Sequence, residues 1–150
     1  MFSFLKLFRK DTGVCFPDRR SAENAAGFGF SMHLPYELSK RYTPAYTVLD
    51  GNIIEIRYHS DDGDEIIVHK GRGETDVSGD RKRYRKIFTW DCELGTVIFK
   101  GMGRNKKSGL HLAMWSHDGA SYSVRSTRAL DRCDLRRIII GIAVEEELTA

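Results

Sequence analysis

Residues 110 to 126, LHLAMWSHDGASYSVRS, bring Trp115, His117, Asp118 and Ser121 within a few positions of one another. These are the residue types of a hydrolase, in which a serine needs a histidine to take its proton and an acid to orient that histidine. The context argues otherwise. Asp118-Gly119 already has an explanation as a turn. A hairpin tip is solvated and builds no oxyanion hole, and the chain carries no G-x-S-x-G elbow. The stretch reads as strand, turn, strand, with Trp115 packed on the sheet or free to stack on a ligand, and no catalytic residue is assigned.

A second candidate is KGRGETDVSGD, from Lys70 to Asp80. Gly71 and Gly73 would let backbone N–H groups approach a phosphate. A dinucleotide fingerprint needs a third glycine where this chain has Asp76, and the Gly-Lys-Ser/Thr of a P-loop is absent. Glu74, Asp76 and Asp80 would repel phosphate; as calcium ligands they lack EF-hand spacing. The bland reading is an ordered loop whose glycines need positive φ. The loop is still the first place to look for a ligand.

The histidines, His33, His59, His69, His111 and His117, form no H-x-H or H-x-x-x-H pair. His59, Asp61, Asp62 and Asp64 cluster at what reads as a solvated turn. Cys15, Cys92 and Cys133 are odd in number and far apart, which fits neither a zinc site nor a disulfide framework. No metal or cofactor is expected, and reduced thiols fit the cytoplasm.

Charge is polarised along the chain. Residues 79–137 hold fourteen Lys or Arg against six Asp or Glu, whereas residues 1–78 hold ten against twelve. Arg81, Lys82, Arg83, Arg85 and Lys86 surround Tyr84; Arg104, Lys106 and Lys107 fall at a hairpin tip; further arginines flank the start of the C-terminal helix. Such a stripe could neutralise phosphates, with Tyr84 as a stacking face. The alternative is a solvated charged face, since the net charge is only +3 and no nucleic-acid module signature occurs.

The elements that would position these residues form one domain of 150 residues with ordinary globular composition. Residues 1–16 read as an N-terminal extension and residues 17–150 as the domain. In MFSFLKLFRK the charges follow the apolar residues, unlike a secretory signal, so the segment is either an amphipathic contact peptide or packed on its own domain. No apolar run is long enough to span a bilayer. The stretch from Ser21 reads as a short helix capped by Ser21 and ended by Gly27. GFGFSMHLP alternates like a strand. NIIEIRY and EIIVHK read as a hairpin about Asp62-Gly63, followed by YRKIFTWDC, GTVIFKG, LHLAMW and SYSVRS. From Leu130 the apolar period becomes helical, capped by Thr127 or Asp131, although Ile138-Ile139-Ile140 would also suit a strand. The expectation is an α+β fold: an antiparallel meander of about six to seven strands, a short N-terminal helix, and a C-terminal amphipathic helix on one face.

Taken together, the K-G-x-G-x-x-D-x-S-G-D stretch and the A-x-W strand before S-Y-S resemble a family of small uncharacterised bacterial proteins, over roughly residues 17 to 142. The resemblance implies an antiparallel α+β fold with kinship to Mog1/PsbP-like or lipoprotein-carrier-like folds, which bind partners or lipids. It brings no catalytic residues. The functional expectation is a non-enzymatic binding domain for a protein or small molecule, using Trp90, Trp115 and the Gly71, Gly73, Asp76 loop. The alternatives are a nucleic-acid or polyanion binder using Arg81, Lys82, Arg83, Tyr84, Arg85 and Lys86, or an enzyme of unrecognised type.

Overall fold

The computed structural model describes residues 13–73, 76–103 and 109–149. They form eight strands: β1 (Val14–Phe16), β2 (Thr43–Leu49), β3 (Ile53–His59), β4 (Glu65–Arg72), β5 (Lys86–Cys92), β6 (Gly95–Gly101), β7 (Leu110–His117) and β8 (Ala120–Leu130). Three helices accompany them: α1 (Arg19–Ala26), α2 (Tyr36–Ser39) and α3 (Arg132–Thr149).

The strands make a single antiparallel sheet in the order β1-β2-β3-β4-β8-β7-β6-β5. The strand count is eight, not six to seven, and the chain is not one continuous meander. β1–β4 and β5–β8 each run as a meander, and the two join because β8 pairs with β4 along Ile66–Arg72. The connection from β4 must therefore cross the sheet to reach β5, which becomes the far edge. Neighbour pairing explains each half; nothing local announces that the last strand returns to the middle.

Period-2 alternation gives the sheet two unlike faces. One row runs Tyr46, Ile56, Val68, Val124, Ala113, Phe99, Phe88 across seven strands. This apolar face meets α3, whose Leu135, Ile138, Ile139 and Ile142 are fully buried. Each such side chain contributes about 1.5–3 kcal/mol by leaving water. The β-branched run is thus helical, because burial of one helical face outweighs local propensity. Asp131 caps α3, its carboxylate accepting from the Asp134 N–H at 2.7 Å.

Two local expectations change. Asp18, not Ser21, caps α1: the Ser21 N–H donates to Asp18 Oδ1 at 2.8 Å, and Gly27 ends the helix at φ 83. Residues 28–34 form no strand. Phe30, Met32 and Leu34 are buried in the core, but the Phe30 N–H donates to Glu23 and the Ser31 N–H to Glu146. The alternation marked extended backbone on an apolar surface, and carboxylates took the donors that a ladder would have used. Val14–Phe16, at the end of the expected extension, pairs with Val48, Thr47 and Tyr46 of β2.

Candidate interaction surface at the β5 edge

The turn that opened the sequence reading is a hairpin: Asp118 and Gly119 take φ 49 and 76 between β7 and β8. His117 Nε2 lies 3.3 Å from Asp118, in solvent. Ser121 is 1% exposed and its hydroxyl donates to the Gly73 carbonyl, so it is held away from that pair. Trp115 is buried at 5% exposure and stacked on Tyr122, centroids 5.1 Å apart and 8° from parallel. It belongs to the core. Burial, with the Glu146 carboxylate accepting at 2.8 Å, raises the Tyr122 hydroxyl above its ordinary pKa.

The loop after β4 has a structural task. Gly71 is buried because the crossover lies on it: a Cβ there would stand 2.8 Å from Val77 Cγ1. Gly73 takes φ 89 and its N–H donates to the Gly119 carbonyl at 2.8 Å. Asp76 Oδ1 accepts from the Ser78 N–H at 2.9 Å and its hydroxyl at 2.6 Å, shaping the turn into the crossover. Val77 and Ser78 are buried on the face opposite α3. Glu74 lies outside the described residues, as do the N-terminal MFSFLKLFRK and Arg104, Lys106 and Lys107.

Beneath Val77 sits a pair that the sequence reading did not assemble. His69 Nε2 is 2.8 Å from Glu55 Oε1, and its Nδ1 is 2.6 Å from the Val77 carbonyl oxygen. Both residues are buried. A carbonyl only accepts, so Nδ1 carries a hydrogen, and the Glu55 contact needs a second proton between ring and carboxylate. Burial pushes the Glu55 pKa up, but the hydrogen bond and charge of His69 and the Arg57 guanidinium outweigh it and hold the carboxyl below its ordinary value. Arg57 is fixed in turn by Glu65, at 3.0 Å to both carboxylate oxygens. The pair was legible in one respect. Glu55 and His69 each lie seven residues from Asp62, on which the hairpin is centred, so its register sets them opposite each other.

The crossover then delivers the basic stretch. Arg81, Lys82, Arg83 and Arg85 are exposed, and Tyr84 and Lys86 are half-buried. The Tyr84 hydroxyl donates to Asp80; burial first and this carboxylate second raise its pKa. Lys86 opens β5, the outer strand. Ile87, Thr89 and Asp91 are exposed on the crossover face, while Phe88 and Trp90 are half-buried on the α3 face. Phe88 stacks on Phe99 at 5.1 Å. The Arg132 guanidinium lies 4.4 Å from the Phe88 centroid and that of Arg136 lies 4.6 Å from Trp90. Beside the first residues of β5 a cavity of about 560 Å³ is lined by Lys86, Phe88, Arg128, Arg132 and the residues that start α3.

Trp90 lies on β5 and the basic stretch leads into that strand, whereas Trp115 and the glycine loop belong to the core and the crossover. The missed partners, Arg132 and Arg136, had a sequence signal in their i,i+4 spacing on the polar side of the last helix, but not in their distance from Phe88 and Trp90. Among the described residues no three His, Cys, Asp or Glu side chains are placed to hold a metal ion. No described helix is long and apolar enough to cross a membrane. Cys15 and Cys133 are exposed and Cys92 half-buried, all three as free thiols, so the thiols are less buried than their residue type suggests. Comparison with family models, curated proteins and solved structures finds no match in any of the three.

Proposed function

We propose that the chain is a non-enzymatic interaction domain of the cytoplasm that recognises a protein partner along the outer edge of β5. One observation carries this reading. β5 is a seven-residue strand paired only with β6 among the described residues, and two half-buried aromatics and two arginines flank it. An open edge is a row of unmet backbone donors and acceptors. Strand addition uses that row for affinity and the alternate side chains for specificity. The opposite edge, β1, has only three residues and offers a much shorter row. Three free thiols fit a reducing compartment.

The test is selection of linear peptides from an unbiased display library on the immobilised chain. Counter-selection uses Thr89→Pro or Lys86→Pro. Successive residues of a strand point their N–H groups to opposite sides, and proline is tolerated where the N–H faces outward. The variant that keeps the wild-type circular dichroism is therefore the one with a blocked edge. Peptides that bind the wild type and not that variant are expected. Enrichment of the same peptides on both proteins overturns the reading.

A second reading, polyanion binding, is favoured by the exposure of Arg81, Lys82, Arg83 and Arg85, none of which is ion-paired among the described residues. It requires binding of single-stranded DNA that weakens steeply with salt and disappears when all four become Gln.

A further inference from the structure

We infer that the strand added at β5 is acidic, with carboxylates at every second residue turned toward α3. This rests on the β5-edge reading and names the chemistry of its partner. Lys86, Phe88 and Trp90 alternate onto the α3 face, and Arg132 and Arg136 lie over the two rings. Residues two apart on a strand are separated by about 6.6 Å. Residues four apart on a helix are separated by about 6 Å along its axis. The two repeats match, so a strand continuing the sheet would bring every second side chain up to a guanidinium, in step. A guanidinium stacked on a ring keeps its in-plane N–H donors for a carboxylate.

The state of those donors is the independent observation. Arg136 Nε is buried with no hydrogen-bond partner among the described residues. Neither Arg132 nor Arg136 has an ion-pair partner there, whereas the next arginine, Arg137, is paired with Glu37 at 2.7 Å and with Asp134 at 3.7 Å. The nearest acids on α3 and its cap are engaged: Asp134 with Arg137, and Asp131 with the helix N–H of Asp134. Asp91, the acid of β5 itself, lies on the other face, where Thr96 Oγ1 donates to it at 2.8 Å. Nothing in the described fold neutralises the Arg136 guanidinium, and a partner's carboxylate bonding to that guanidinium would do so with charge-assisted bonds. The lane extends past Lys86 to the cavity lined by Arg128 and Arg132 together with Asp131 and Asp134, where Arg128 lies 3.9 Å from Asp64.

The probe is a fluorescent peptide of four Glu-Val repeats, compared by anisotropy with its Gln-Val isostere in about 0.1 M salt, where surface charges act over only about 10 Å. The Glu peptide should bind at least about tenfold more tightly. Arg132→Gln with Arg136→Gln should bring the two peptides to within about twofold. Should that double variant lose its fold, Arg132→Gln alone carries the test, since Arg132 is exposed. N-methylation of every Glu or of every Val should abolish binding in one of the two forms, because one set of N–H groups faces β5. Equal affinity for the Glu and Gln peptides overturns the acidic partner while leaving the edge to the library selection. Full binding by both methylated forms, with displacement by single-stranded DNA, overturns strand addition and assigns the arginines to a polyanion. A Glu peptide that does not bind while the library yields neutral edge binders overturns this inference alone.

Discussion

The two faces of the sheet are closed by different physics. On the α3 side an apolar row meets Phe30, Leu135, Ile138, Ile139 and Ile142, and closure is the sum of many contacts without direction. On the other side the corresponding row reads Thr47, Glu55, His69, Ser123, Met114, Ile98, Thr89. There the crossover is held by a few directed bonds, chiefly from His69 to Glu55 and to the Val77 carbonyl. A dispersed apolar contact is lost in proportion to what is deleted. A buried polar pair is lost all at once, because its surviving member is left charged or unsatisfied. The comparison also explains the location of the candidate site. At β5 the apolar covering gives way to Arg132 and Arg136 over half-buried Phe88 and Trp90, while Ile87, Thr89 and Asp91 are exposed on the other face.

The largest effect is expected on the apolar side. Phe30 is fully buried and packs against Tyr122 at 6.0 Å. Phe30→Ala should cost about 3–5 kcal/mol in urea denaturation with an unchanged slope. On the polar side, Glu55→Ala should cost about 2–3 kcal/mol by leaving His69 without its acceptor. The sharper measurement is the pair: Glu55→Leu with His69→Leu should be less destabilised than either single change, as expected for a buried polar pair and not for additive packing. If the two single losses simply add, the faces do not differ as argued.

A smaller effect tests how closely the crossover seats. Gly71→Ala places a methyl group 2.8 Å from Val77 Cγ1 and 3.4 Å from Ile53 Cγ1, so the crossover must lift. About 1–2 kcal/mol of overpacking is expected. Faster amide exchange should appear at Val77 and Ser78 and not in α3. Uniformly faster exchange would mean that the two coverings unfold together.

What the sequence made legible follows from the range of each interaction. The alternation of β3 to β8, the Asp62-Gly63 and Asp118-Gly119 turns and the helical period after Leu130 are set by neighbours within a few residues and recur in the fold, whereas the alternation of residues 28–34 does not become a strand. β2 carries a weak strand signal because Pro44 stands inside it and Val48 is its one buried residue. The β4–β8 pairing joins residues about fifty apart, and no local pattern encodes it. For the same reason the sequence does not show that Gly71 is small to admit Val77, and the loop looks locally like a ligand site. Trp115 and Trp90 look alike in sequence; one lies mid-sheet under Tyr122 and the other at the edge under an arginine, a difference set by strand order alone.

The finest distinction between the faces is their response to acid. The Glu55 carboxyl is held below its ordinary value of 4.5 in the folded chain by His69 and Arg57, against the opposing pull of burial. A depressed carboxyl stabilises the fold above its unfolded pKa, and this contribution is lost as the pH falls through the folded value. The Glu55→Gln variant resembles the protonated side chain at every pH. Wild type should therefore exceed Glu55→Gln in denaturation midpoint at pH 6, and the gap should narrow at pH values below 4.5. Asp18 and Glu37 are also depressed, by the Ser21 N–H and by Arg137 respectively, but both are retained in the variant and cancel in the difference. The α3 face offers a control: Ile139→Val should cost the same at both pH values, because no proton moves when that side chain is trimmed. A Glu55→Gln gap that stays constant into acid would mean that the crossover is held by the shape of the pair and not by its charge.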